Sequence, residues 1–69
     1  MSENIIKGRH VIFEFHTMGT YTKVTAMDTK SLVEISIQGP SQTPESILKN
    51  NALRRLKYVL EKKGIIASE

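Results

Sequence analysis

The residues of this chain able to do acid/base or ligand chemistry fall in two places. Read with the alternation of a β-strand, residues 10–16 put His10, Glu14 and His16 on one side, and the hairpins that follow bring Tyr21 and Gln38 beside His16. His16, Tyr21 and Gln38 are thus the one grouping in which a neighbour could orient an imidazole, as a general base or a ligand site requires. Such a site also needs a cleft that excludes water, and a residue near the end of an open sheet has none. A solvated cross-strand group is the expectation. His10 and His16 stand six residues apart on one strand side, about 20 Å, too far to share a metal ion. There is no Gly-rich phosphate loop, nucleophile elbow or paired-carboxylate constellation. With no cysteine there is no thiolate ligand and no disulfide. The pattern points away from an enzyme, with no catalytic residue, metal ligand or cofactor expected.

The second place is the stretch 44–63, PESILKNNALRRLKYVLEKK. Arg54, Tyr58 and Lys62 follow one another at four-residue steps, with Asn51 and Arg55 beside them, so a helix would gather them in one row. An aromatic ring among cations can stack on a base, which makes Arg54, Arg55, Tyr58 and Lys62 a candidate nucleic-acid set, RNA in particular. Lys and Arg are also good helix formers that commonly do no more than solvate an exposed side. Tyr21 is the only aromatic expected on the outer sheet surface, and no RNP-type strand motif occurs. The formal charge is +3, with the stretch 44–63 contributing +4 and the remainder −1, so basicity is local.

Those side chains need a frame, and the spacing supplies one. Leu48, Ala52, Leu56, Val59 and Leu60 recur at helical steps, with Leu53 widening the stripe. Thr43 is placed to cap the first turn, Pro44 fits a position whose N–H is not needed, and Glu45 suits the positive dipole end. Gly64 is placed to close the last turn and let Ile65 fold back onto Leu60. Upstream, Val11, Phe13 and Phe15 alternate with polar residues, Met18 and Gly19 make a two-residue turn, and residues 20–27 resume as a second strand. Pairing Thr17 with Thr20 sets Phe15 against Thr22, Phe13 against Val24, Val11 against Ala26 and Glu14 against Lys23. A loop over residues 28–31 then sets Met27 against Leu32, Ala26 against Val33, Val24 against Ile35 and Thr22 against Ile37, and Gly39–Pro40 ends the third strand.

The expected fold is α+β: a three-stranded antiparallel meander packed on one long C-terminal helix, in the order β-β-β-α. The stripe would cover Val11, Phe13, Phe15, Val24, Val33, Ile35 and Ile37. Residues 1–9 read as a flexible lead-in, 10–66 as a single domain and 67–69 as a tail. The outer side of the sheet then carries Ile12, Tyr21, Met27 and Leu32, candidate interface residues. At 69 residues the core is thin, so a second copy covering that side is the leading expectation: a small non-enzymatic interaction module, homodimeric, with nucleic-acid binding as the alternative. No stretch approaches the ~20 apolar residues of a membrane span and no signal-peptide pattern opens the chain, so a cytoplasmic protein is expected.

The order β-β-β-α invites comparison with the double-stranded-RNA-binding domain, but the helix start TPESILKNN carries one lysine, Lys49, where that domain carries a basic cluster. The blocks VIFEF at 11–15, Gly19, KVTAMD at 23–28, VEISIQGP at 33–40 and ALRRLKYVL at 52–60 resemble a family of small uncharacterised alphaproteobacterial proteins, a domain of unknown function. The resemblance covers about two-thirds of the chain in order and implies a bacterial cytoplasmic protein with no assigned reaction. It also implies a glycine in the second turn, where this chain has Thr29, Lys30 and Ser31.

Overall fold

The structure, a computed structural model, describes the backbone of residues 2–6 and all atoms of residues 8–67. Four strands, β1 (Ser2–Ile6), β2 (Arg9–Met18), β3 (Tyr21–Asp28) and β4 (Glu34–Pro40), lead into one helix, α1 (Glu45–Lys62). The strands form a single antiparallel sheet in chain order, β1-β2-β3-β4. The α+β meander with its C-terminal helix is thus the expected one, extended by a strand. Within the stretch read as a lead-in, Ser2–Ile6 runs antiparallel to β2, with Ser2 opposite Ile12 and Ile6 opposite Arg9, and the ladder is irregular between Glu3 and Ile6. Residues 1, 7, 68 and 69, which the lead-in and tail assignments include, lie outside the described residues.

Both hairpins keep the expected faces but slide by two residues. Phe13 pairs with Ala26, Phe15 with Val24, Val11 with Asp28 and Thr17 with Thr22, so Gly19 and Thr20 form the turn in place of Met18 and Gly19. Val24 pairs with Ile37, Ala26 with Ile35 and Met27 with Glu34. Side chains alternate with a period of two, so a two-residue slip leaves every residue on its own face. Hydrophobic patterning therefore sets parity, and the turns select among registers of equal parity. Gly19, at φ +63°, supplies the left-handed residue that the two-residue turn needs.

Val11, Phe13, Val24 and Ala26 from the sheet are buried with Leu48, Ala52, Leu56 and Leu60 from α1. Phe15, Val33, Ile35, Ile37, Leu53, Ile65 and Ile66 pack half-buried around them. The buried helix positions are four residues apart, so their row winds slowly about the helix, as packing across a twisted sheet requires. α1 lies mainly over β3 and β4. Its start is a correction: Pro44 occupies the N-cap, with no side-chain cap bond, and the Thr43 N–H donates to the Pro40 carbonyl. Its end is as expected. Gly64, at φ +73°, donates to the Glu61 carbonyl and Ile65 donates to the Leu60 carbonyl (2.9 Å), a Schellman closure that turns Ile65 and Ile66 back onto the core.

Candidate interaction surfaces

Three surfaces carry polar or exposed apolar side chains of note. The first is the sheet face turned away from α1. Its rows, read across β2, β3 and β4, are Ile12, Met27, Glu34; Glu14, Thr25, Ser36; His16, Lys23, Gln38; and Met18, Tyr21, Pro40. The two-residue slip thus separates His16 from Tyr21. His16 stands beside Lys23, and its Nε2 lies 3.3 Å from the Glu14 carboxylate, both exposed. Tyr21 sits one row on, its hydroxyl 3.9 Å from the Met18 sulfur. The His16, Tyr21 and Gln38 grouping is therefore not assembled, since Lys23 intervenes between His16 and Gln38. Of the candidate interface residues, Ile12 and Met27 are direct cross-strand partners, and Ile12 is 39% exposed. Tyr21 stands at the opposite end of the sheet. Apolar side chains therefore occupy both ends of this face, with two polar rows between them.

Leu32, the fourth candidate, is not on a strand. It ends the β3–β4 loop at φ +65°, the one non-glycine residue with positive φ among those described, and its side chain is 68% exposed. Its N–H donates to the Asp28 carbonyl (2.8 Å), closing the loop with a left-handed residue where glycine would be the ordinary choice. The family resemblance implies a glycine in this turn; leucine fills the demanding position.

The second feature is a buried polar cluster that strand periodicity did not reveal. Asp28, read as the start of the loop, is the last residue of β3 and is fully buried. Its Oδ2 accepts from Arg9 Nη1 (2.7 Å), the Ser31 N–H (3.0 Å) and the Ser31 hydroxyl (2.5 Å). Arg9 Nη2 donates on to the Ile65 carbonyl (3.4 Å), so one guanidinium joins β2, the end of β3 and the chain beyond α1. Burial pushes the Asp28 carboxyl up, but the Ser31 hydroxyl and N–H, with Arg9 and the Lys30 N–H, outweigh it and hold the group below its ordinary value. The signal that could have found it was Asp28 itself, an inward-parity residue followed three positions later by serine. The cluster braces the loop that carries Leu32 through Oδ2, while Oδ1, also buried, has no hydrogen-bond partner among the described residues.

The third surface is the outward side of α1. Arg54, Arg55, Tyr58 and Lys62 are all exposed there, as the periodicity expects. The Arg55 guanidinium and Lys62 ammonium lie over the Tyr58 ring, 5.4 and 5.5 Å from its centroid. Each is a cation–π contact worth about 0.5–1 kcal/mol at an exposed site. Among the described residues no carboxylate pairs with Arg54, Arg55 or Lys62. No group of three metal-binding side chains comes together among them, and no helix is long and apolar enough to cross a membrane.

Fold and surfaces together define a small α+β domain in which one helix covers one face of an antiparallel meander. The chain belongs to the family described as "Domain of unknown function (DUF6898)", whose model matches residues 8–63. The match takes in β2, β3, β4 and α1. No match was found among curated proteins or among solved structures.

Proposed function

We propose that this chain is a non-enzymatic contact module that pairs with a second copy of itself through the uncovered face of the sheet. The observation that carries the reading is Leu32, an exposed leucine held in a left-handed conformation on a loop braced by the Asp28 cluster, together with the Ile12–Met27 pair on the open sheet face. Backbone strain of this kind persists where the surroundings enforce it, and it concentrates at binding surfaces. The order of the rows supports a particular two-fold arrangement. If the axis runs along the rows, the Ile12–Met27 row of one copy covers the Met18–Tyr21 row of the other, and Glu14 lies over the second copy's His16, close to its Lys23. Apolar meets apolar at both ends and opposite charges meet in the middle, as a self-complementary interface requires. The setting is the bacterial cytoplasm, which the alphaproteobacterial resemblance implies.

Nucleic-acid binding through Arg54, Arg55, Tyr58 and Lys62 is the weaker reading. With two cations already over the Tyr58 ring, a base that stacks there competes with them. Sedimentation equilibrium tests the leading reading: a mass near twice 7.8 kDa is expected, reduced to the monomer in Ile12→Lys. A wild-type monomer at high micromolar concentration would overturn it.

A further inference from the structure

β4 pairs only with β3, so one side of its main chain is an open edge. The Asp28 N–H donates to the Val33 carbonyl (2.9 Å) and the Ser41 N–H to the Thr20 carbonyl (2.9 Å), which turns the odd-numbered residues of the strand toward β3. The main-chain groups of Glu34, Ser36 and Gln38 therefore point away from the sheet. Such an edge is ordinarily guarded by a central proline, a bulge or an inward-pointing charge. Here the pairing with β3 is regular, and Ile35 and Ile37, on the face toward α1, are apolar and half-buried. The obstacles stand at the two ends. Pro40 has no N–H to offer, and Leu32, at φ +65°, breaks the extended backbone. Both lie four residues from Ser36.

α1 crosses the sheet obliquely. Leu48 lies against Gly39 of β4, while the chain beyond the helix is held at β2, where Arg9 Nη2 donates to the Ile65 carbonyl (3.4 Å). The start of β4 is thus thinly covered, and Val33 and Ile35 are half-buried there. At the other end of the strand Lys49 reaches back over the Phe13 ring of β2 (5.6 Å). Successive helix residues turn by about 100°, so Ile47 projects from the opposite side of Leu48, past β4, and is 49% exposed.

We propose that β4 pairs with β4 of a second copy, antiparallel about a two-fold axis at Ser36, joining two sheets edge to edge. Ser36 then meets Ser36 and Glu34 meets Gln38, so the free main-chain groups of these residues are used on both copies before Pro40 and Leu32 close the ladder. A slip of two residues either way sets Gln38 against Leu32 or Glu34 against Pro40. In the proposed register Ile35 faces Ile37 in the closer, non-hydrogen-bonded kind of pair, about 4.5 Å between Cα atoms. Gly39 comes opposite Val33, so the exposed Ile47 of each copy covers the half-buried Val33 of the other. On the outer surface Glu34 lies beside the second copy's Gln38, with its Lys23 next in the row, and opposite charges approach. Arg55, on the same flank as Ile47, is drawn onto the Tyr58 ring (5.4 Å), and Tyr58 lies half a turn from the buried Leu56 and Leu60, on the side of α1 turned from the sheet. These features complement the same strand run backwards, which selects a second copy as the occupant.

The contact is one short strand and one isoleucine per copy, below the ~1,000 Å² of a stable interface. It therefore forms at millimolar concentration, above the range in which the sheet-face pair is read, and it leaves that face open. Ile12→Lys protein, which lacks the face contact, isolates it. At millimolar concentration the mass of that variant should rise toward twice 7.8 kDa, with slowed exchange at the Glu34, Ser36 and Gln38 amides. A mixed sample of labelled and unlabelled variant should show contacts between copies from the Ile47 methyl groups to Val33. Adding Ser36→Pro removes an N–H that no bond to β3 uses, so the fold stands while association weakens at least tenfold. Ile47→Lys, at an exposed position, should weaken it likewise. A monomeric Ile12→Lys protein at millimolar concentration would overturn the edge pairing, as would association undiminished by both Ser36→Pro and Ile47→Lys. Neither result touches the sheet-face reading, which stands or falls on the wild type at high micromolar concentration.

Discussion

Asp28 is where the chain spends buried charge, and its partners make it a test of the packing. Removing one member of a buried, hydrogen-bonded ion pair leaves the other uncompensated, so Asp28→Ala should cost about 3–5 kcal/mol, read by urea unfolding at pH 7. The pH dependence has a definite sign. A carboxyl held below its ordinary 3.8 in the folded state contributes stability that is complete above that value and is lost as pH falls through it and below. The wild type should therefore lose more stability than Asp28→Asn between pH 5 and pH 3. An equal loss in both proteins would mean that the carboxylate does not stabilise the fold. Leu32 makes the opposite prediction. Replacing it with glycine relieves the left-handed strain at a smaller cost in chain entropy, a net gain of about 0.5–1 kcal/mol, while weakening self-association. A variant that is more stable and associates as well as the wild type would leave Leu32 a loop residue only.

The helix and the hairpins divide what the sequence could convey from what it could not. The stripe from Leu48 to Leu60, the Gly64 closure and the inner face through Phe13, Phe15, Ile35 and Ile37 were legible because each rests on local periodicity or on a single residue's backbone freedom. The registers were not, since sliding either hairpin by two residues keeps every face intact, and only the geometry of Gly19–Thr20 and of the loop ending at Leu32 selects among the alternatives. That slip carried the candidate site with it, taking Tyr21 away from His16. β1 escaped because its place is set by main-chain pairing with β2, which leaves no periodic trace in SENII. Thr43 illustrates a plausible cap displaced by its neighbour: with Pro44 at the N-cap and the Thr43 N–H committed to Pro40, the hydroxyl makes no cap bond. Thr43→Ala should therefore shift stability by less than about 0.5 kcal/mol, against about 1 kcal/mol for a working cap. Gly39 tolerates no such change. A Cβ there would come within 2.6 Å of Leu48 Cδ2, so Gly39→Ala should cost about 1–3 kcal/mol by thermal unfolding.

On the scale of the whole molecule, one 18-residue helix covers one face of a four-stranded sheet, and the other face is open. A domain of 69 residues buries a smaller share of its unfolded surface than a larger domain does, and its surfaces are correspondingly important. One of them, a sheet face with apolar ends and a polar middle, is suited to a copy of itself. The pairing of sheet faces can be read directly from a mixed sample of labelled and unlabelled protein by isotope-filtered NMR. Contacts should run between copies from the Ile12 and Met27 methyl groups to Met18 and the Tyr21 ring. Intermolecular contacts confined to Tyr58 and its neighbours on α1, with none from Ile12, would contradict the account.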